Sequence, residues 1–220
     1  MKSLNHSIRE LFFKNNCVLC PEKAHDNLHY ICYNCYKSLK DIGKLKRFND
    51  IYYLWNYDNR LKKIIEEYKF KNKLYIGELL FNLIGEELNK LLKKEKIDKI
   101  IPIPINYKRL SERGFNQVEE LLKFGGYSYI KTSRIKETNH MYKLLNIEAR
   151  RKNIKSAFKV ERLKGLKKIL IIDDIITTGS TMEEFITEIR NKNNTIQIVV
   201  FTLTLSKTAK KINLKMREIK

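Results

Sequence analysis

Apolar residues recur along this chain in two rhythms, and the switches between them mark out its elements. Ile51-Tyr-Tyr-Leu-Trp55 reads as a strand bounded by the turn-favouring Asn56 and Asp58. From Arg60 to Lys94, Leu61, Ile64, Ile65 and Tyr68, then Leu79, Leu80, Leu83, Ile84, Leu88 and Leu91, fall at helical spacing. They predict two helices around a break near Lys71–Lys73. Ile97 to Ile105 reads as a buried strand, with Pro102 and Pro104 ending its pairing because proline carries no backbone donor.

A helix is expected next, with Phe115, Val118, Leu121 and Leu122 as its stripe, and then a short strand near Tyr127–Lys131. The run Lys168-Ile-Leu-Ile-Ile172 suits a parallel strand covered on both faces. Met182, Phe185, Ile186 and Ile189 give a helix at Thr181–Asn191 its inward face, and Ile196–Phe201 supplies another apolar strand. Strand, helix and strand together make a βαβ unit, so the expected fold class is α/β, with a parallel sheet flanked by helices.

Residues 14–47 break this pattern, being rich in Cys, Lys and Tyr without sustained periodicity, as expected of a loop-built metal module. With 220 residues at 43% hydrophobic composition the chain can bury one sizeable core and carry a small module beside it. The change in character places the boundary at residues 1–48 and 49–220. There is no uncharged apolar run long enough to span a membrane, and Arg9, Glu10 and Lys14 interrupt any signal-like segment, which predicts a cytoplasmic protein.

Charge sharpens the picture. The formal net charge is +20, from 45 Lys and Arg against 25 Asp and Glu. Residues 131–168 hold thirteen basic side chains against Glu137, Glu148 and Glu161, a net of +10. This segment, with little apolar periodicity, reads as a mobile loop. A further six basic residues against Glu218 lie between Lys207 and Lys220. Two readings follow, a site for a polyanion or a plain solvated surface.

All four cysteines fall in one pattern, Cys17-Val-Leu-Cys20 and Cys32-Tyr-Asn-Cys35, with eleven residues between the pairs. Two such turns can close a tetrahedral structural zinc site with no open position for water, so catalysis by this metal is not expected. The rival reading, a disulfide framework, suits an oxidising compartment and a secreted chain. His25 and His29 lie between the pairs and read first as surface residues.

The densest chemistry is Asp173-Asp174-Ile-Ile-Thr177-Thr178-Gly179-Ser180-Thr181, at the end of an apolar strand and the start of an amphipathic helix. Carboxylates at a strand's C-terminal edge can accept hydrogen bonds from a vicinal diol, and a helix N-terminus with hydroxyls can hold a phosphate. Gly179 permits close approach of the backbone. The bland alternative is helix capping, which accounts for one residue rather than two carboxylates and four hydroxyls in nine positions. The chain lacks G-x-x-x-x-G-K-[ST] and G-x-G-x-x-G, which argues against nucleoside triphosphatase and dinucleotide readings.

This stretch resembles the 5-phosphoribosyl diphosphate (PRPP) motif of type I phosphoribosyltransferases. The resemblance implies that Asp173 and Asp174 hold the ribose hydroxyls and that Thr177, Thr178, Gly179, Ser180 and Thr181 hold the 5′-phosphate. It also implies a type I phosphoribosyltransferase-like sheet and Mg²⁺ with PRPP. Pro102-Ile-Pro104-x4-Arg109-x3-Arg113-Gly-Phe-Asn-Gln117, Arg150-Arg-Lys-Asn153-x3-Ala157-Phe158 and the cysteines narrow the resemblance to the competence-associated ComF family. Where many relatives carry a glutamine, between Thr138 and Leu145, this chain reads Asn-His-Met-Tyr-Lys-Leu.

Arg109 and Arg113, spaced i, i+4, are the diphosphate candidates, with exposed helix charges as the alternative. Asn116 and Gln117 are expected to support that loop. Arg134, Lys136, Arg150 and Arg151 could close over the diphosphate or track single-stranded DNA, with Tyr127, Tyr129 and Tyr142 available for stacking. Tyrosines in such places, and Trp55, read first as packing. The resemblance implies a phosphoribosyltransferase, its enzymatic status open, associated with DNA uptake in transformation. Alternatives are a non-catalytic single-stranded-DNA-binding or adaptor protein partnered with a DNA-translocation helicase, and a nucleobase-salvage phosphoribosyltransferase.

Overall fold

The computed structural model describes residues 16–25, 28, 30–70, 75–134, 158–160 and 163–211. Its elements are α1 (Tyr33–Ile42), β1 (Lys46–Phe48), β2 (Ile51–Asn56), α2 (Asn59–Phe70), α3 (Tyr75–Glu95), β3 (Lys99–Pro102), α4 (Tyr107–Arg113) and α5 (Gln117–Phe124). They continue with β4 (Ser133–Arg134), β5 (Phe158–Lys159), β6 (Lys168–Ile176), α6 (Ser180–Lys192), β7 (Gln197–Leu205) and α7 (Lys207–Lys211).

Five strands form one sheet in the order β1-β2-β7-β6-β3, and β4 and β5 make a separate two-stranded ribbon. β1 is antiparallel to β2, whereas β2, β7, β6 and β3 run parallel. Parallel neighbours need crossover connections, and α6 supplies the one between β6 and β7.

Successive side chains of a strand face opposite ways, and β6 uses this fully. Leu170 and Ile172 enter a cluster with Leu39, Ile64, Leu83 and Leu121, so α1, α2, α3 and α5 cover that face. Ile169 and Ile171 enter a second cluster with Phe158, Phe185, Ile186 and Ile189, so α6 covers the other. The chain therefore leaves β3 toward one face and β6 toward the other. In such sheets the crevice between diverging strand ends is where ligands bind.

The expected α/β class and the helices on either side of residues 71–73 are present, although those residues lie outside the described ones. Four expectations change. Ile97–Ile105 shortens to Lys99–Pro102, and the strand near Tyr127–Lys131 is only a bridge from Tyr129 to Ile100, because Pro102 and Pro104 limit pairing beyond β3. β6 runs through Asp173 and Asp174 to Ile176, since β7 remains paired with it as far as Leu205. The cysteine-rich stretch is not all loop. It contains α1, which buries Leu39 and whose N-terminal turn starts when Cys32 Sγ accepts the Cys35 N–H at 3.4 Å.

Trp55 packs as expected, fully buried. Its indole N–H donates to the Leu39 carbonyl of α1 at 3.0 Å, while its backbone lies opposite Thr204 of β7. Cys17, Ile31 and Cys32 belong to the same apolar cluster as Trp55, Leu61 and Leu83, so the N-terminal stretch is packed onto the sheet's core.

Candidate functional site

β7 positions the end of β6 through hydroxyls. Thr202 and Thr204 are fully buried, and Thr204 Oγ1 donates to the Asp174 carbonyl at 3.3 Å. Ser206 Oγ donates to the Thr177 carbonyl at 2.7 Å, and its N–H donates to the Ile176 carbonyl at 3.0 Å. These bonds fix the backbone where β6 becomes the Thr177–Gly179 turn. Gly179 adopts φ +83°, a left-handed conformation that side chains disfavour, and stands as the residue before α6 without any side-chain cap bond. Thr178 and Ser180 hydroxyls lie 3.2 Å apart beside the open N–H groups of the helix start.

The two carboxylates differ. The Asp174 N–H donates to Asp173 Oδ1 at 2.9 Å. Burial, and then the charge of Asp174, push Asp173 up to about 8, so it holds its proton near neutrality. Asp174 Oδ2 lies 2.6 Å from Lys69 Nζ in the last turn of α2, with both side chains about one-sixth exposed. Sequence reasoning offered no signal for Lys69, because a lysine ending a helix usually serves the helix C-terminus.

The loop after β3 supplies the third wall. Asn106 caps α4 by accepting the Arg109 N–H at 2.8 Å, and Gly114 ends that helix at φ +76°. Asn116 caps α5 by accepting the Val118 N–H at 3.0 Å while its amide donates to the Ile103 carbonyl at 3.0 Å, tying α5 to the exit of β3. Arg113 donates to Gln117 Oε1 at 3.1 Å. Burial lowers the Arg113 pKa, as does Arg109, and the charge of Asp174 opposes both. Gln117 is 3% exposed and accepts the Tyr68 hydroxyl on its backbone carbonyl at 2.9 Å, yet its Nε2 has no hydrogen-bond partner. A buried orphan donor costs about 1–3 kcal/mol, a cost that an arriving acceptor removes. Arg109 is exposed at the rim of the same helix.

Thus Asp173, Asp174, the Thr177–Thr181 turn and Arg113 gather at the C-terminal end of β6 and β3. Of the basic segment, Arg134 is described. It pairs with Glu184 of α6 at 3.3 Å and stacks over Phe158, which holds the β4–β5 ribbon against α6. Lys136, Tyr142, Arg150 and Arg151 lie outside the described residues, as does His29. Tyr127 and Tyr129 pack against the core, Tyr127 donating to Asn89 Oδ1 at 2.7 Å.

The cysteine sulfurs converge on a second site. All four lie within 4.8 Å of one another, with Cys20 Sγ 3.6 Å from both Cys32 Sγ and Cys35 Sγ. A tetrahedron of bonds of about 2.3 Å has edges of about 3.8 Å, so the four thiols could hold a metal such as zinc. All four cysteines are free, in place of the disulfide alternative. Burial pushes the Cys17 thiol up, but backbone N–H groups around it, led by that of Cys32, outweigh this and bring it down to about 7. His25 is exposed and stands apart from the cluster.

The phosphoribosyl transferase domain family model matches residues 130–219, the span that carries β6 and its turn. Competence protein ComFC of Streptococcus pneumoniae is 30% identical over 169 residues, covering 74% of this chain and 70% of its own. Competence protein F of Haemophilus influenzae is 24% identical over 206 residues, covering 79% of this chain and 90% of its own. DNA utilization protein YhgH of Escherichia coli O157:H7 is 29% identical over 202 residues, covering 86% and 85%. No described helix is long and apolar enough to cross a membrane.

Proposed function

The chain belongs to the ComF family of phosphoribosyl transferase domain proteins, and from that premise we propose that the edge of its sheet binds PRPP as the Mg²⁺ complex. One observation carries the reading: two adjacent carboxylates near the end of β6 and a helix N-terminus opened by a left-handed glycine lie on one strand-turn-helix segment. Asp174 and Asp173 take the ribose hydroxyls. The N–H groups and hydroxyls from Thr177 to Thr181 take the 5′-phosphate. Arg113 and Arg109 take the diphosphate, whose oxygens Mg²⁺ prefers as ligands, and the orphan Nε2 of Gln117 offers a further donor on that wall.

Transfer at such a site breaks the bond from ribose C1 to a diphosphate oxygen, which leaves with the electron pair. The acceptor nucleophile bonds to C1 and gives up its proton. Arg109 and Arg113 would meet the departing charge, and Mg²⁺, when bound with the diphosphate, would supply further charge neutralisation. The names of the similar proteins, which speak of competence and DNA utilization, lead us to assign the chain to DNA uptake in transformation. Its four cysteines hold structural zinc in the N-terminal module, a use of reduced thiols that suits the cytoplasm.

Calorimetric titration of Mg²⁺–PRPP into the zinc-loaded protein tests the assignment. Saturable binding that the Asp173→Asn, Asp174→Asn double variant loses supports it. A folded wild type that takes up no PRPP refutes it.

A further inference from the structure

We propose that Lys69 is a positioning residue for ribose recognition, holding the Asp174 carboxylate in place so that a vicinal diol finds a fixed acceptor. The proposal rests on the PRPP reading above. Helix α2 delivers the Lys69 ammonium to 2.6 Å from Asp174 Oδ2, with the two side chains 16% and 14% exposed. Exposed pairs such as Lys62–Glu66, at 52% and 51%, hold two flexible side chains in water and do little. Lys69–Asp174 is different, because water is largely excluded from the pair.

Other groups also feel Asp174. Tyr57, between β2 and α2, and Tyr68 of α2 are held toward their neutral forms by burial, with Asp174's charge a smaller contribution. Arg113 of α4 is drawn toward its charged form by that same carboxylate. Two adjacent acids of a ribose site repel one another and tend to share a proton. An ammonium held at 2.6 Å from Oδ2 fixes the position of the Asp174 carboxylate beside Asp173. The lysine thus comes from a helix outside the strand-to-helix motif and acts on the diol only through the carboxylate.

The test uses full-length, zinc-loaded Lys69→Met and Lys69→Arg, each checked for native circular dichroism. Carbon-13 carboxyl NMR follows the titration of Asp173 without ligand, and calorimetry follows Mg²⁺–PRPP affinity at pH 7. In Lys69→Met the Asp173 titration is expected to move up, because the Lys69 charge that holds it down is gone. Affinity at pH 7 is expected to fall about tenfold, with Lys69→Arg restoring most of it. A Lys69→Met protein with wild-type titration and wild-type affinity overturns the role of Lys69 alone. Absence of PRPP binding to the wild type overturns the ribose reading, and the role of Lys69 with it.

Discussion

Replacing Asp173 by asparagine is expected to stabilise the ligand-free protein at high pH while weakening its ligand binding. Burial and the charge of Asp174 hold the Asp173 carboxyl at about 8, against about 3.9 in an unfolded chain. A gap of about four units at about 1.4 kcal/mol each sets an upper bound of about 5–6 kcal/mol. Asp173 keeps partial contact with solvent, and Lys69 offsets part of the pair's charge, so about 2 kcal/mol is the expected gain. The folded state retains a proton that the unfolded chain has shed. The contribution of Asp173 to wild-type stability therefore falls as pH rises from about 4 to about 8 and levels off above that. Asparagine carries no such proton, and its carbonyl can still accept the Asp174 N–H that now bonds Oδ1 at 2.9 Å. The advantage of Asp173→Asn should be absent near pH 4 and complete above about pH 8. For a chain of this size it amounts to about 4–8 °C in melting temperature. Circular dichroism melts at pH 5, 7 and 9 measure it. A variant that melts with or below the wild type at pH 9, or whose advantage does not grow with pH, refutes the reasoning.

Further outcomes follow from the same geometry. Arg113→Ala is expected to weaken Mg²⁺–PRPP and inorganic diphosphate by about tenfold or more in calorimetry, and Arg113→Lys to restore little, because a point charge cannot reproduce the planar fork. Cys32→Ser should release the metal, seen by elemental analysis, and lower stability in denaturant by more than about 2 kcal/mol, since one sulfur both faces the cluster and starts α1. Gly43→Ala would set a methyl carbon 2.6 Å from Trp55 Cζ2 and 2.8 Å from the Leu39 carbonyl oxygen. It should cost about 1–3 kcal/mol in the same assay without altering PRPP affinity.

Much of this was legible where two signals coincided. The run Ile169–Ile172 had to be covered on both faces, and the Asp, Thr, Gly and Ser residues after it could be read as strand end, turn and helix start. Cysteine spacing announced the convergence of the four sulfurs in the same way. What the sequence hid was contact across distance. Nothing in the spacing of Lys69 and Asp174 reveals that a helix end and a strand end meet at 2.6 Å. Nor does Gln117 declare that one end of its amide finds a partner and the other does not. Helix α1 escaped notice because its ten residues bury only Leu39, so its stability comes from a sulfur cap and from packing rather than from an apolar stripe. β6 outran its expected end because its pairing with β7 continues past the acidic residues, a tertiary effect that local composition does not encode.

Trp55 is the chain's single tryptophan, which makes the molecule its own instrument. Its indole N–H reaches Leu39 in the helix that Cys32 begins, and its backbone lies across from Thr204, whose hydroxyl holds the strand beneath Asp174. One chromophore thus sits between the sulfur cluster and the acidic edge of the sheet. Its emission should redden when chelation loosens α1, and a titration followed at this one wavelength would reveal whether filling the sheet edge makes the metal harder to strip.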